Sequence, residues 1–327
     1  MINSQVLVTD AENFSIADPI NPYYGDSGLD LAAAVQEHRR IINTVREIGI
    51  KVRQYPSPKT SQDGVYTANW ALVRGNQAVL SRLPNVRKSE EAYAESILSD
   101  LGIRVHRVPA DYRFSGQGDA LAIGDYLLSG QKFRSDPEAQ QFAAQTLGYD
   151  LVQLQCVPLL DPIPGTTISA ATITPATADP VTITTAAPTT ATTVIPTDTG
   201  TADSSAAKPV INAITGWPDS LFYDIDLAIA ILSENVLAYC PAAFTPESQA
   251  KIESLPGITK LLVEYDEAVY GYALNLLSNG NEVILSNQCP NLTQQLQAHC
   301  FETIGVSAPE LRKGGGFIRC ITLTLAP

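Results

Sequence analysis

The sequence predicts an α/β fold of radially repeated strand-turn-strand-helix units, and three observations carry that prediction. The first is a period: Asn69 to Asp119 spans 50 residues, Asp226 to Asn275 spans 49, and Asn275 to Cys320 spans 45. A period near 50 suits radially arranged units better than a solenoid of short repeats. The second is that the first four of these anchors each open an apolar run, a Gly- or Asn-containing turn and a second apolar run, followed by a stretch of helical periodicity. The third concerns the one long step, Asp119 to Asp226, which encloses a segment from Pro162 to Pro209 dominated by Thr, Ala and Pro. Such a composition buries too little apolar surface to offset its ordering entropy and reads as a disordered or extended insertion. Without it the period returns to roughly 55–60 residues, within the tolerance of an approximate repeat. The expected organisation is one domain of residues 1–161 and 210–327, interrupted by an insertion over 162–209.

Taken in order, residues 2–8 read as a first strand and 14–24 as a loop containing Ile20-Asn21-Pro22. Residues 29–48 place Leu31, Ala34, Val35, Ile41, Ile42, Val45 and Ile48 at helical spacing and stop at Gly49, a C-terminal signal. A second strand follows at 50–55. Strand-turn-strand units then run over 69–81, 119–129, 226–238 and 272–286, with helices expected at 89–101, 137–147, 246–254 and 292–300. The strand after Cys320, combined with the first strand and helix, supplies a fifth unit.

Composition narrows the function. Of 327 residues, 45% are hydrophobic and 17% charged, enough for a packed core. A formal net charge of −13 argues against nucleic acid as a partner, since that binding rests on Lys and Arg neutralising phosphates; it suits a cationic ligand. No transmembrane-length apolar run is present, so no membrane association is expected, and the N-terminus has no basic segment leading into a long apolar stretch. That start also disfavours reading 162–209 as an O-glycosylated stalk. The five cysteines show no CxxC spacing and no His/Cys cluster, which favours reduced thiols in a cytoplasmic protein over a disulfide framework or zinc site.

Near the C-terminus stands Gly314-Gly315-Gly316-Phe317-Ile318-Arg319-Cys320. Glycines allow positive φ or close backbone approach, and a cysteine just beyond could aim its sulfur into a pocket. By itself the segment fits a buried strand cysteine better, a common fate of that side chain.

Seven segments together give Cys320 a context: Phe14 with Ile20-Asn21-Pro22; Asp63-Gly-Val-Tyr-Thr-Ala-Asn69; Arg87 with Glu90; Phe114-Ser-Gly-Gln-Gly-Asp119; Phe133-Arg134-Ser-Asp136; Phe222-Tyr-Asp-Ile-Asp226; and 314–320. In this order and spacing they resemble the pentein, or guanidine-modifying enzyme, superfamily, most closely the branch of dimethylarginine dimethylaminohydrolase, arginine deiminase and the amidinotransferases. The resemblance implies a five-bladed, pseudo-fivefold α/β propeller. It also implies a thiolate that attacks a guanidinium carbon to form a covalent amidino intermediate, a histidine that moves protons, and acidic side chains that hold the cation. Side chains carry that chemistry alone, so neither a metal nor an organic cofactor is expected. Cys320 falls on the nucleophile position.

Two positions depart from the family pattern. Ser115 stands where the Phe-Glu-Gly-x-Gly-Asp motif has its substrate-binding glutamate, and Asp224 where the His-x-Asp motif has its catalytic histidine. The resemblance therefore assigns Cys320 and Asp224 to catalysis and Asp63, Asn69, Arg87, Ser115, Asp119, Arg134 and Asp226 to substrate binding. Arg87 and Arg134 suit a ligand carboxylate, or alternatively ion pairs with Glu90 and Asp136. Of the three histidines, His38 beside Arg39 and Arg40 reads as solvent-facing, His106 as a core-edge residue, and His299 as a helix end; none has a spacing that places it beside Cys320. Strand alternation points Arg319 away from Cys320. Two readings remain: a cysteine-dependent hydrolase or amidinotransferase acting on an arginine-like cation, or a catalytically degenerate relative that binds a cationic small molecule or a protein partner.

Overall fold

A computed structural model of the chain describes residues 2–25, 27–160 and 208–326; the insertion expected over 162–209 lies outside these residues save for its last two. The chain on either side of that segment packs into one compact unit. It opens with β1 (Gln5–Thr9), α1 (Leu31–Glu47) and β2 (Lys51–Tyr55), with β2 parallel to β1. The next three units each run as hairpin, helix and returning strand. They are β3 (Ala71–Arg74), β4 (Gln77–Leu80), α2 (Ser89–Asp100) and β5 (Arg104–Arg107); β6 (Ala120–Ile123), β7 (Tyr126–Gly130), α3 (Pro137–Leu147) and β8 (Asp150–Leu154); and β9 (Ile229–Ser233), β10 (Val236–Tyr239), α4 (Pro246–Glu253) and β11 (Thr259–Leu262). After a short α5 (Tyr265–Val269) come β12 (Leu277–Ser278), β13 (Glu282–Ser286), α6 (Pro290–Ala298) and β14 (Glu302–Val306). The last strand, β15 (Leu323–Ala326), pairs antiparallel with β1, Leu7 opposite Leu323.

The described residues thus form five three-stranded sheets, each with an antiparallel pair and a parallel strand added on the far side of the middle one. Parallel strands need a long crossover, which the helix supplies. The first strand of each unit faces the common axis: β15 contacts β3, β6 contacts β9, and β9 contacts β12. This is the pseudo-fivefold α/β propeller expected, and the fifth unit is completed by the two ends of the chain.

Helix and strand limits differ modestly from expectation. The first strand begins at Gln5, α1 at Leu31, where Asp30 caps it by accepting from the Ala33 N–H at 2.9 Å, and α6 at Pro290, a residue suited to the first helical position. The outer strands β8, β11 and β14 were not expected at all. Their side chains are mostly exposed or half-buried, so they lack the apolar runs that mark the inner strands.

His38 is corrected outright: it is 1% exposed, and its Nε2 has no hydrogen-bond partner. The helical period explains why, since His38 shares a face with the buried Ala34, Ile41, Ile42 and Val45 while Arg39 and Arg40 lie on the other side. Its neighbour Glu37 is also buried and accepts the N–H groups of Glu310 and Leu311 at 3.0 and 2.9 Å, tying α1 to the segment that leads to Cys320. No helix among the described residues is long and apolar enough to cross a membrane.

Burial lowers the His38 pKa from 6.5 to about 4. Between those values the unfolded chain takes up a proton that the folded chain refuses. The associated stability is therefore complete above pH 6.5 and is lost as pH falls toward 4, at about 1.4 kcal/mol per pH unit. His38→Leu is expected to flatten the profile of unfolding free energy across that window. Urea denaturation at a series of pH values checks this; an unchanged slope would locate the acid sensitivity elsewhere.

Candidate active site

Each inner strand is reached through a tight turn at the same end of the axis, and the anchors of the sequence repeat sit in those turns. Single-turn helices at Thr67–Trp70, Gly116–Gly118 and Ile225–Leu227 lead into β3, β6 and β9. Asn69 donates from Nδ2 to Asp224 Oδ2 at 2.7 Å and to Ser115 Oγ at 2.8 Å. Asp119 Oδ1 accepts the Ile225 N–H at 3.2 Å. Gly118 permits this convergence, because a Cβ there would lie 2.3 Å from Asn69 Nδ2 and 2.8 Å from Asp224 Oδ2.

Asn275 shapes the last turn. Its Oδ1 accepts the N–H groups of Phe317, Arg319 and Cys320 at 3.0, 3.1 and 3.2 Å, and its Nδ2 lies 3.1 Å from Cys320 Sγ. Cys320 therefore occupies a turn rather than the start of a strand, since β15 begins only at Leu323. Gly315 stands just upstream with φ of +85°, packed against the Asn21 amide where a Cβ would collide. The Cys320 thiol donates to Asp226 Oδ2 at 3.2 Å.

The outer wall carries the other expected residues. Asp63 accepts from the Tyr24 hydroxyl at 2.7 Å and from Gln62 Nε2 at 3.1 Å. Arg87 grips Glu90 through two hydrogen bonds of 2.8 Å and donates to Asn69 Oδ1 at 2.9 Å. Of the alternatives for Arg87, the ion pair is realised. Arg134 donates to the Ile20 carbonyl at 2.7 Å, pairs with Asp219 at 3.2 Å and lies over the Tyr223 ring. Its expected partner Asp136 is taken by Arg113. Both guanidinium groups line the pocket, and both are already engaged by acidic side chains.

Asp63, Asn69, Arg87, Ser115, Arg134, Asp224 and Cys320 surround one cavity of about 20 Å³, room for a single water. Asp119 and Asp226 lie behind it through their contacts with Ile225 and Cys320. No histidine takes part. His38 is on the buried face of α1, His106 of β5 bonds Gln77 at 3.0 Å, and His299 contacts the Gln295 carbonyl at 2.9 Å at the end of α6.

Burial dominates the electrostatics. It raises the pKa of Asp119 and Asp224, with Asp224 adding to the effect on Asp119 and Arg134 opposing that on Asp224. Burial and then Asp224 raise Asp226 to about 8; burial, opposed by Arg87, raises Asp63 to about 6. The Cys320 thiol is pushed well above its ordinary value by burial, then by Asp226 and Asp224. Asp119 Oδ2, Asp224 Oδ1 and Asp226 Oδ1 lack hydrogen-bond partners. The site as it stands holds the thiol toward its protonated form beside a group of acids held toward their neutral forms, and a cation placed among them would oppose that tendency. Among the described residues no group of three or more His, Cys, Asp or Glu side chains is arranged to hold a metal ion.

Five three-stranded units about an axis, with a cysteine on the last turn, define a pentein fold, and comparison with known proteins agrees. The chain is 27% identical over 317 residues to N(G),N(G)-dimethylarginine dimethylaminohydrolase of Mycobacterium tuberculosis, covering 96% of this chain and 83% of that protein. It is 24% identical to the bifunctional arginine dihydrolase/ornithine cyclodeaminase ArgZ of Synechocystis, covering 98% of this chain but only 37% of that longer protein. The N-terminal domain of ArgZ, solved with its substrate, superposes with a TM-score of 0.75 at 23% identity over 98% of both chains. The dimethylargininase of Pseudomonas aeruginosa, solved with citrulline, gives 0.67 at 14% identity over 99% of both. No family model matches the sequence. The resemblance read from the sequence motifs is borne out.

Asn275 and Tyr223 were not read as site residues. The repeat itself carried a signal for Asn275, since it occupies in its unit the place that Asn69 and Asp226 occupy in theirs. Tyr223, whose hydroxyl donates to the Gly315 carbonyl at 2.8 Å, has no such mark in the sequence.

Two substitutions test the site. Glu90→Gln strands the buried Arg87 charge and is expected to cost about 3 kcal/mol of stability, read from the urea midpoint at unchanged m value. Asp226→Asn removes a negative neighbour of Cys320, so alkylation of that thiol by iodoacetamide, followed residue by residue by mass spectrometry, is expected to begin at lower pH. A shift to higher pH would mean that Asp226 favours the thiolate.

Proposed function

We propose that this chain is a divergent guanidino-group hydrolase whose pocket takes a small guanidinium or amidinium cation, with Cys320 as nucleophile. The observation that carries this reading is that Asp224 and Asp226 both act on the Cys320 thiol, with Asp119 next to them, and that each of the three carboxylates has one unpartnered oxygen. A guanidinium supplies N–H donors in a planar fork and the positive charge that buried carboxylates lack. The relatives support the chemistry, being named as hydrolases of dimethylarginine and arginine. The cavity is smaller than such a cation, so binding requires its lining, which includes Ile20 and Asn21, to move.

In this scheme the bound cation lowers the thiol pKa, the Cys320 proton passes to Asp226, and Sγ adds to the guanidinium carbon. Asp224 gives its proton to the departing amine as the C–N bond breaks, leaving an S-amidino intermediate. Water then attacks that carbon and yields one proton to Asp224; the C–S bond breaks as the second proton on that oxygen passes to solvent, releasing the neutral ureido product, and Asp226 returns a proton to sulfur. An amine in place of water would give amidino transfer. Asp224 stands where the resemblance expects a histidine and Ser115 where it expects a glutamate. Replacing a matched acid-base group typically costs ~10²–10⁴-fold, so slow turnover is expected.

A second reading, binding of a cation or a protein partner without turnover, is favoured by one observation. The thiol already donates to Asp226, and no histidine is present to withdraw its proton.

Arginine, methylarginines and agmatine, assayed for ureido products and by calorimetry, separate the two. Turnover that disappears in Cys320→Ser supports the hydrolase and is expected to rise in the double variant Asp224→His, Ser115→Glu. Binding without turnover, together with inertness of Cys320 to a haloacetamidine, would establish the second reading. Absence of binding by any of these cations would sink both small-molecule readings.

A further inference from the structure

The inner strands of the five units enclose a second cavity of about 310 Å³, within the range of small-molecule sites. Its mouth is formed by hairpin turns at Arg74, Gly124 and Glu234, and it runs along the axis toward the end that holds Cys320. The walls are apolar, with Leu72, Ile123, Ile229, Leu274 and Leu276 contributed by four of the units. At the inner end lies Arg319.

Arg319 leaves the chain beside Cys320 but points away from it, into this cavity. Its Nη1 donates to the Thr322 carbonyl at 2.5 Å and its Nη2 to Gln117 Oε1 at 2.9 Å. Gln117 is itself fixed to β15 by the Thr324 N–H at 2.8 Å and the Thr324 carbonyl at 2.9 Å. Both acceptors of Arg319 are neutral, and among the described residues no carboxylate lies within ion-pair distance of it. By contrast Arg74 at the mouth is paired with Asp125 and stacked on Tyr149. A guanidinium inside the protein with no carboxylate in contact is costly unless a partner is supplied, and here the free space in front of it is bounded mainly by hydrocarbon, with Asn3, Gln117 and Thr324 beside the guanidinium and Glu234 at the mouth.

We propose that the axial cavity is a binding site for a small aliphatic monocarboxylate, its carboxylate on Arg319 and its hydrocarbon along the inner strands. One uncompensated guanidinium matches one negative charge, and its planar fork matches a carboxylate. The apolar walls reward a hydrocarbon tail over a bare inorganic anion. The site is distinct from the Cys320 pocket and stands whether or not that pocket turns over a guanidino compound. The two nevertheless share a charge, because Arg319 also acts on Asp226.

Hexanoate is the probe, with the full chain and isothermal calorimetry. Saturable binding is expected, with hexylamine about tenfold or more weaker because the charge-assisted hydrogen bonds are lost. Arg319→Gln is expected to lose the preference for hexanoate. Ala122→Phe, which fills the cavity from its wall without altering charge, is expected to lose binding altogether. The comparison of hexanoate with hexylamine needs no variant and holds even if a substitution fails to fold. Absence of saturable hexanoate binding, equal affinity for hexylamine, or binding that survives Ala122→Phe would overturn the proposal.

Discussion

The pairing of β15 with β1 closes the ring, and the site depends on that closure. The two strands are the ends of the chain, and their register, Val6 opposite Thr324 and Leu7 opposite Leu323, sets where the turn before β15 must sit. That turn carries Cys320. Thr67 reinforces the seam by donating to the carbonyls of Leu7 and Ile321 at 3.1 and 3.0 Å, and the Ala68 N–H reaches the Cys320 carbonyl at 3.0 Å. The position of Cys320 is thus fixed by hydrogen bonds from two neighbouring units.

Two kinds of buried charge border the Cys320 pocket and behave differently. Arg87 and Glu90 form a bidentate pair with further donors from Trp70 and Ser61, so their desolvation is offset by short, directed contacts. Burial opposes the charge on Arg87, and Glu90 with Asp63 and Asp224 more than restores it. Among the described residues no cation forms an ion pair with Asp119, Asp224 or Asp226, and they are driven toward protonation instead. The first arrangement is a rigid wall for the pocket. The second is electrostatically incomplete, and the proposed binding of a cation rests on that.

Much of this was legible from residue order. The spacing of Asn69, Asp119, Asp226, Asn275 and Cys320 reported the radial repeat because each marks a turn feeding an inner strand, and inner strands are apolar enough to see. The outer strands β8, β11 and β14 escaped notice because exposure leaves them little hydrophobic pattern. His38 was misread because adjacent arginines in sequence are not adjacent on a helix face, whereas residues three and four apart are. Asp136, the ion-pair alternative offered for Arg134, is a neighbour in sequence, whereas the partner found, Asp219, comes from far along the chain.

The sequence by itself determined the repeat and the place of Cys320 at the end of it, because these are matters of residue type and spacing; the resemblance carried by its motifs supplied the pentein fold and the expectation of a histidine and a glutamate where Asp224 and Ser115 stand. Only the tertiary structure decided what those residues face. That Asp226 meets the thiol, that Asn275 folds the turn around Cys320, and that Arg319 turns its charge into an axial cavity all depend on contacts across 45 to 202 positions of chain. Packing and desolvation act on such contacts in space, and one-dimensional spacing carries no record of them.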